Sequence, residues 1–256
     1  RDRWIDLRDL GNRASLCMAE GVQGAHVSTD AVYLSAFDWQ DTGFDYYDST
    51  VIHKISLDPA GPSYAGSASV PGSFWGNPAF LMGEAGDALA VVTTTPTSDP
   101  EDPFTHHLTT LGDGEDFELE QLGQIPNESA PAKIGKPREQ IFASRIAGNR
   151  AYIVTFEQVD PVYVIDLADA ANPTILGELT IPGFSDYLHP LNGDRVIGVG
   201  RNADGEGGPF RLLGVNVRLF DVSDPATPSM LSDIAIGSRG SRTPVDFDHQ
   251  AFTLLQ

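Results

Sequence analysis

Residues 151–190 read AYIVTFEQVDPVYVIDLADAANPTILGELTIPGFSDYLHP. Three apolar runs, 151–156, 162–167 and 174–181, are separated by Pro, Asp and Asn. Short β-branched and aromatic runs cut by such residues predict consecutive antiparallel strands, because Pro and Asx residues favour turns and interrupt ladders. In 152–156 and 162–165 both alternating positions are largely apolar. That predicts a sheet covered on both faces, since a half-solvated strand would alternate apolar with polar.

The stretch has echoes. Ile165-Asp166-Leu167, Asp169, Pro173 and Leu176 return as Phe220-Asp221-Val222, Asp224, Pro228 and Leu231. Asp169, Pro173, Gly177, Ile181, Pro182 and Gly183 match Asp58, Pro62, Gly66, Val70, Pro71 and Gly72. Ile5-Asp6-Leu7, Asp9 and Asn12 form another copy, and 108–111 with Asp113 and Ile125-Pro126 a weaker one. A second repeat interleaves with the first. The apolar runs 31–37, 88–94, 151–156 and 195–200 follow Thr29-Asp30, Gly86-Asp87, Gly148-Asn149 and Asn192-Gly193-Asp194. These are hairpin turns, because Gly, Asn and Asp tolerate positive φ.

Each unit therefore reads strand a, tight turn, strand b, variable loop, strand c, Asp/Pro turn, strand d. Four strands in about five repeats of 50–56 residues describe an all-β chain folded as a β-propeller, or an open arc of one, built of four-stranded antiparallel blades. Residues 1–256 are expected to be one domain, incomplete at both ends. The chain opens on strands c and d (4–7, 14–19) and closes on a and b (244–247, 251–255). Either these pieces unite into one blade and close a five-bladed ring, or the chain is the interior of a longer propeller.

Composition narrows the partners. There are 36 acidic and 16 basic side chains, for a formal charge of −20, and the only lysines are Lys54, Lys133 and Lys136. So acidic a surface repels polyphosphate and argues against nucleic acid and anionic membranes. No run of 18 apolar residues exists to span a bilayer as a helix. Cys17, the only cysteine, lies in an apolar run and reads as a buried thiol, so the chain has no internal disulfide.

The run 152–156 with Asp160-Pro161, then 177–179, 181–190 (IPGFSDYLHP), 219–225 (LFDVSDP) and 248–252 (DHQAF), resembles the secreted prokaryotic β-propeller domain family distantly related to WD repeats. Residues 52–57 and 70–73 are similar to it as well. The likeness covers about residues 50–256. It departs at Ala130-Pro131-Ala132, where the family's Glu is displaced to Glu139 by an insertion, and at Arg145-Ile146, an Arg-Phe pair in the family. The resemblance implies an exported or surface-anchored, extracytoplasmic protein with no established enzymatic activity.

Several side chains are candidates for chemistry. His189 with Asp186, and His249 with Asp248, set an imidazole beside a carboxylate, an arrangement that raises basicity for acid–base or metal chemistry. It serves equally as a strand-to-strand hydrogen bond. His26 falls on strand a as they do, so His26, His189 and His249 form a conceivable metal set at the channel. Adjacent His106 and His107 would point to opposite faces of a strand and read as an exposed loop end. Asn202, Asp204 and Glu206, and Asp113 to Asp116, offer closely spaced oxygens, so calcium is possible, although neither stretch carries a full calcium loop. Asp6, Asp166 and Asp221 recur once per blade and read as turn carboxylates. Trp39, Phe44, Tyr46 and Tyr47, in the acidic loop 38–50, would stack on a sugar or peptide or else cover a blade edge.

The expected function is a scaffold that binds a protein or glycan through its loops, with Arg145 among the ligand-binding candidates. A metal-assisted enzyme at the channel and a calcium-stabilised binding module are the alternatives.

Overall fold

In the computed structural model the described residues are 2–5, 13–16, 21–37, 49–156, 160–181, 183–192, 194–204, 211–246, 248 and 251–254. A leading hairpin pairs β1 (Asp2–Ile5) with β2 (Arg13–Leu16). The first four-stranded sheet holds β3 (Val22–Val27), β4 (Ala31–Phe37), β5 (Ser49–Asp58) and β6 (Gly61–Pro71). A single-turn helix α1 (Pro78–Leu81), capped by the Asn77 side chain, leads into β7 (Met82–Ala85), β8 (Ala88–Pro96), β9 (Phe104–Asp113) and β10 (Leu119–Ile125). The third sheet comprises β11 (Gln140–Ala147), β12 (Arg150–Phe156), β13 (Asp160–Asp166) and β14 (Thr174–Ile181). The fourth comprises β15 (Phe184–Asn192), β16 (Arg195–Asp204), β17 (Arg211–Asp221) and β18 (Ser229–Ile236).

In every one of these sheets the strands lie in chain order and pair antiparallel, as the repeat predicts. The tight turns use positive φ where expected, at Gly86 (61°) and Gly148 (56°). The backbone bonds Leu57 N to Asp30 O, Leu167 N to Asn149 O and Val222 N to Asp194 O tie each strand-c end to the a–b turn. The recurrent aspartates close the c–d turns. Asp169 Oδ1 accepts from Ala171 N, Asp224 Oδ1 from Ala226 N, and Asp221 Oδ1 from Ser223 N and Arg195.

The sheets stack face to face. One apolar cluster (Tyr33, Ile52, Val70, Leu89, Leu111) joins the first sheet to the second, and another (Val92, Leu108, Ile141, Ile153, Ile165) the second to the third. A further cluster (Val154, Val164, Ile181, Leu188, Phe220) joins the third to the fourth. Middle strands pinned between neighbours are buried on both faces: β8 from Ala88 to Thr94, and β12 from Ala151 to Phe156. Close approach depends on glycine. A Cβ on Gly66, Gly123 or Gly177 would meet backbone of the next sheet's c–d turn at 2.8, 2.5 and 2.4 Å. The inner strand β11 touches β7 on one side and β15 on the other, which sets the strand-a edges around a common axis. Among the described residues the sheets form an open arc.

Three expectations need correction, and of the two readings of the chain's ends the single joined blade is not met. Among the described residues of 244–254, none lies in a strand a or b. Pro244–Asp246 is a 3-10 turn, Asp248 N bonds Pro244 O, and 251–254 are not in a ladder. Proline has no N–H to give a ladder, and among the described residues no strand pairs with this segment, which packs through Val245 and Phe252 on the fourth sheet instead. The leading hairpin pairs with itself, so among the described residues the terminal pieces do not unite into one blade. The variable b–c loops that composition suggests at 95–107, rich in Pro and acid, and at 201–214, rich in Gly, are shorter than that, because β8 and β9, and likewise β16 and β17, extend into them. His106 and His107 lie within β9 and not at an exposed loop end. His106 is 3% exposed, bonded through Nδ1 to Thr94 Oγ1 (2.8 Å) and through Nε2 to Glu139 O (2.9 Å). His107 bonds Thr95 on the opposite face.

Candidate functional site at the inner strands

Strand a brings together three of the candidates. Counted from the pinned turns, His26 pairs with Tyr33, Arg145 with Tyr152 and His189 with Ile197, the same rung of three different sheets. β7 carries Gly83 near this level and Glu84 beside it. The Arg145 charge acts on His26, Tyr187 and His189, so these side chains share one electrostatic neighbourhood.

Each partner is specific. His189 Nδ1 lies 3.0 Å from the Tyr187 hydroxyl, and the Phe252 ring packs at a tilt of 35° against the imidazole, centroid to centroid 4.7 Å. The expected carboxylate partner, Asp186, sits instead at a bulge between Ser185 and Tyr187, with its Oδ2 4.0 Å from Arg201 Nε. A bulge rotates the side chain it carries away from the ladder's alternation, which separates Asp186 from His189. Glu84 accepts from Ser28 Oγ at 2.8 Å and also hydrogen-bonds Tyr33. Burial lowers the pKa of His26. Glu84 opposes that shift and Arg145 reinforces it. His189 is lowered by burial and then by Arg145. Both imidazoles are therefore neutral donors and acceptors near pH 7.

Arg145 stands apart. Its Nε is buried without a hydrogen-bond acceptor, and no carboxylate among the described residues pairs with it. Other interior or half-buried cations are engaged: Arg218 Nε with Asp233 at 3.1 Å, Lys54 with Asp113 at 2.6 Å, Arg195 with Asp221 at 2.7 Å.

Next to this rung, towards the strand-a starts, lies a cavity of about 100 Å³. Trp75, Asn77 and Phe80 line it from the connection into the second sheet, Phe142 and Ser144 from β11, and Asp186 from β15. Phe80 packs edge-on against Tyr187 at 5.5 Å and so links the cavity to the rung below. The β8–β9 connection opens at this same end of the sheets, since strand b ends where strand a begins.

Trp39, Phe44, Tyr46, Tyr47, His249 and Glu206 lie outside the described residues. Asp248 is exposed. Asn202 pairs with Gly214 and Asp204 with Arg211 in the β16–β17 ladder. Asp113 is taken by Lys54. Among the described residues no three His, Cys, Asp or Glu side chains group to hold a metal ion. Sequence reasoning missed Glu84, Tyr187, Trp75 and Phe142. Glu84 was legible as a charge in the short strand before the Gly86-Asp87 turn, and Tyr187 as the residue between two candidates. Trp75 and Phe142 carried no repeat signal.

The fold and the one-per-sheet inner rung define a propeller-type domain, and comparison with known proteins agrees. The family described as "Beta propeller domain" matches residues 4–256. The chain belongs to this family. It is 32% identical over 209 residues to an uncharacterised protein of Methanocaldococcus jannaschii, and 37% identical over 181 residues to one of Archaeoglobus fulgidus. These alignments cover 82% and 71% of the chain but 29% and 24% of the relatives' lengths. Among solved structures, the β-propeller domain of the trilobed protease from Pyrococcus furiosus aligns with a TM-score of 0.45 at 8% identity, over 83% of this chain and 57% of that one. A Bombyx mori GH32 β-fructofuranosidase aligns with a TM-score of 0.38 at 12% identity, over 84% and 49%. No helix among the described residues is long and apolar enough to cross a membrane.

Proposed function

We propose that this chain is a non-catalytic recognition module of an extracytoplasmic protein, binding a protein or glycan partner at the end of the sheets where strand a begins. The cavity between the second, third and fourth sheets carries the reading. It combines aromatic faces (Trp75, Phe142) with an amide (Asn77), a hydroxyl (Ser144) and a carboxylate (Asp186) at a convergence of rigid strands. Concave sites with an apolar lining and a few oriented polar groups are where ligands bind, and loops held above a rigid scaffold carry recognition. Phe142 is 40% exposed, so a ligand covering it gains apolar burial.

The test is a glycan and peptide array probed with the wild-type chain and with Phe142→Ala. Binding that the substitution weakens about tenfold or more, with the circular dichroism spectrum unchanged, supports the proposal. Binding indifferent to Phe142→Ala and Asp186→Asn refutes this location.

A further inference from the structure

We infer that Arg145 is the anchor for a carboxylate, presented by the ligand that enters the cavity above it. The inference rests on the recognition reading and adds the chemistry of what is recognised. A guanidinium is a planar fork of donors that matches a carboxylate in two parallel bonds. Arg145 holds such a fork at the inner rung of β11, one residue below Ser144 of the cavity wall, with its Nε shielded and lacking an acceptor. In a chain with 36 acidic and 16 basic side chains, an inward arginine that no described carboxylate meets is an exception. Protein interiors rarely leave such a donor unmatched without a use for it.

The surroundings select the anion. Two carboxylates stand near: Glu84 is held by Ser28 and Tyr33 on the first-sheet side, and Asp186 of the cavity wall lies 4.0 Å from Arg201 Nε. His26 and His189 flank the arginine without adding charge, and the Tyr187 hydroxyl shares a hydrogen bond with His189 Nδ1. One cation, neutral donors and a strongly negative molecule suit a monoanion and disfavour a phosphate dianion. A carboxylate can come from a uronic acid of a glycan, from an acidic side chain of a partner protein, or from a free small acid. The shared chemistry is the carboxylate, and the probes separate the sources.

The experiment titrates the full chain with glucuronate, an end-blocked aspartyl peptide and acetate at constant ionic strength, with chloride and sulfate as controls, following the Arg145 Nε–H resonance by NMR. A saturable shift of that resonance with at least one carboxylate, together with calorimetric binding of the same carboxylate that falls tenfold or more in Arg145→Gln and is partly kept in Arg145→Lys, supports the inference. The strongest probe names the source. An Arg145 resonance indifferent to all three, or equal shifts with chloride and sulfate, overturns it, and the wild-type titration decides even if Arg145→Gln does not fold. Array binding that Phe142→Ala removes and Arg145→Gln leaves intact would overturn the carboxylate anchor while sparing the recognition reading.

Discussion

Gly177 shows how much of this architecture rests on single atoms. Its missing Cβ leaves room for the carbonyl of Pro225, which a methyl would approach to 2.4 Å. Gly123 and Gly66 play the same part against Ala170 and Phe117. Forcing a methyl into such a contact displaces backbone, and overpacking of this kind costs about 1–3 kcal/mol. Gly177→Ala is expected to lose that much stability in urea unfolding, while Ser232→Ala, at the matching ladder position opposite Leu219, is expected to stay within about 0.5 kcal/mol of wild type. Equal effects at both sites would show that the sheets are not stacked through these turns. The glycines were visible in the sequence as part of the echo. Their purpose was not, because close approach across sheets leaves no mark in local spacing. Arg145 was legible as a residue at the end of strand a. Its want of a partner was not, since that depends on which carboxylates the fold turns elsewhere.

At the scale of elements, β9 was only faintly legible, and the reason is chemical. Its sequence, FTHHLTTLGD, sets polar residues where other blades carry Val and Ile, so the apolar signal is weak although the strand is deeply buried. The polarity is matched by hydrogen bonds. Thr94, His106 and the Glu139 carbonyl form a chain, Thr155 donates to the Glu139 carboxylate at 2.6 Å, and Thr110 reaches the Ala170 carbonyl.

Burial depresses the pKa of both imidazoles of β9, with His107 lowered to about 4. The unfolded chain therefore takes up these protons first, near the ordinary pKa of about 6.5, and the folded one only lower down. The resulting stability is fully present above pH 6.5 and is lost as pH falls towards 4. His107→Gln is expected to flatten the slope of unfolding free energy across that window. An unchanged slope would mean that the imidazole titrates alike in both states.

For the molecule as a whole, the fourth sheet differs from the three before it. The residues of β18 are exposed throughout, including Ile234 at 57% and Ile236 at 54%, whereas Leu179 at the corresponding place in β14 packs against the cluster shared with the fourth sheet. Leu179→Ala is expected to cost about 2 kcal/mol and Ile234→Ala less than about 0.5, because only the first removes packed apolar surface. Similar losses would show that something covers β18 in solution. The repeat was readable across all four sheets because turn residues recur at fixed offsets. The segment after β18 was misjudged because its spacing also suits strands, and pairing needs a neighbour that spacing cannot supply.

Each four-stranded ladder is built within one contiguous run of chain, and what crosses from one sheet to the next is side chains, turns and an isolated bridge such as Ser67 N to Phe117 O. A gene encoding such a protein can therefore gain or shed a whole unit by duplication or deletion without rethreading any strand. The seams exposed to that tinkering are the glycine-to-turn contacts, so drift in the number of units should leave its traces there before it reaches the hydrogen-bonded interiors.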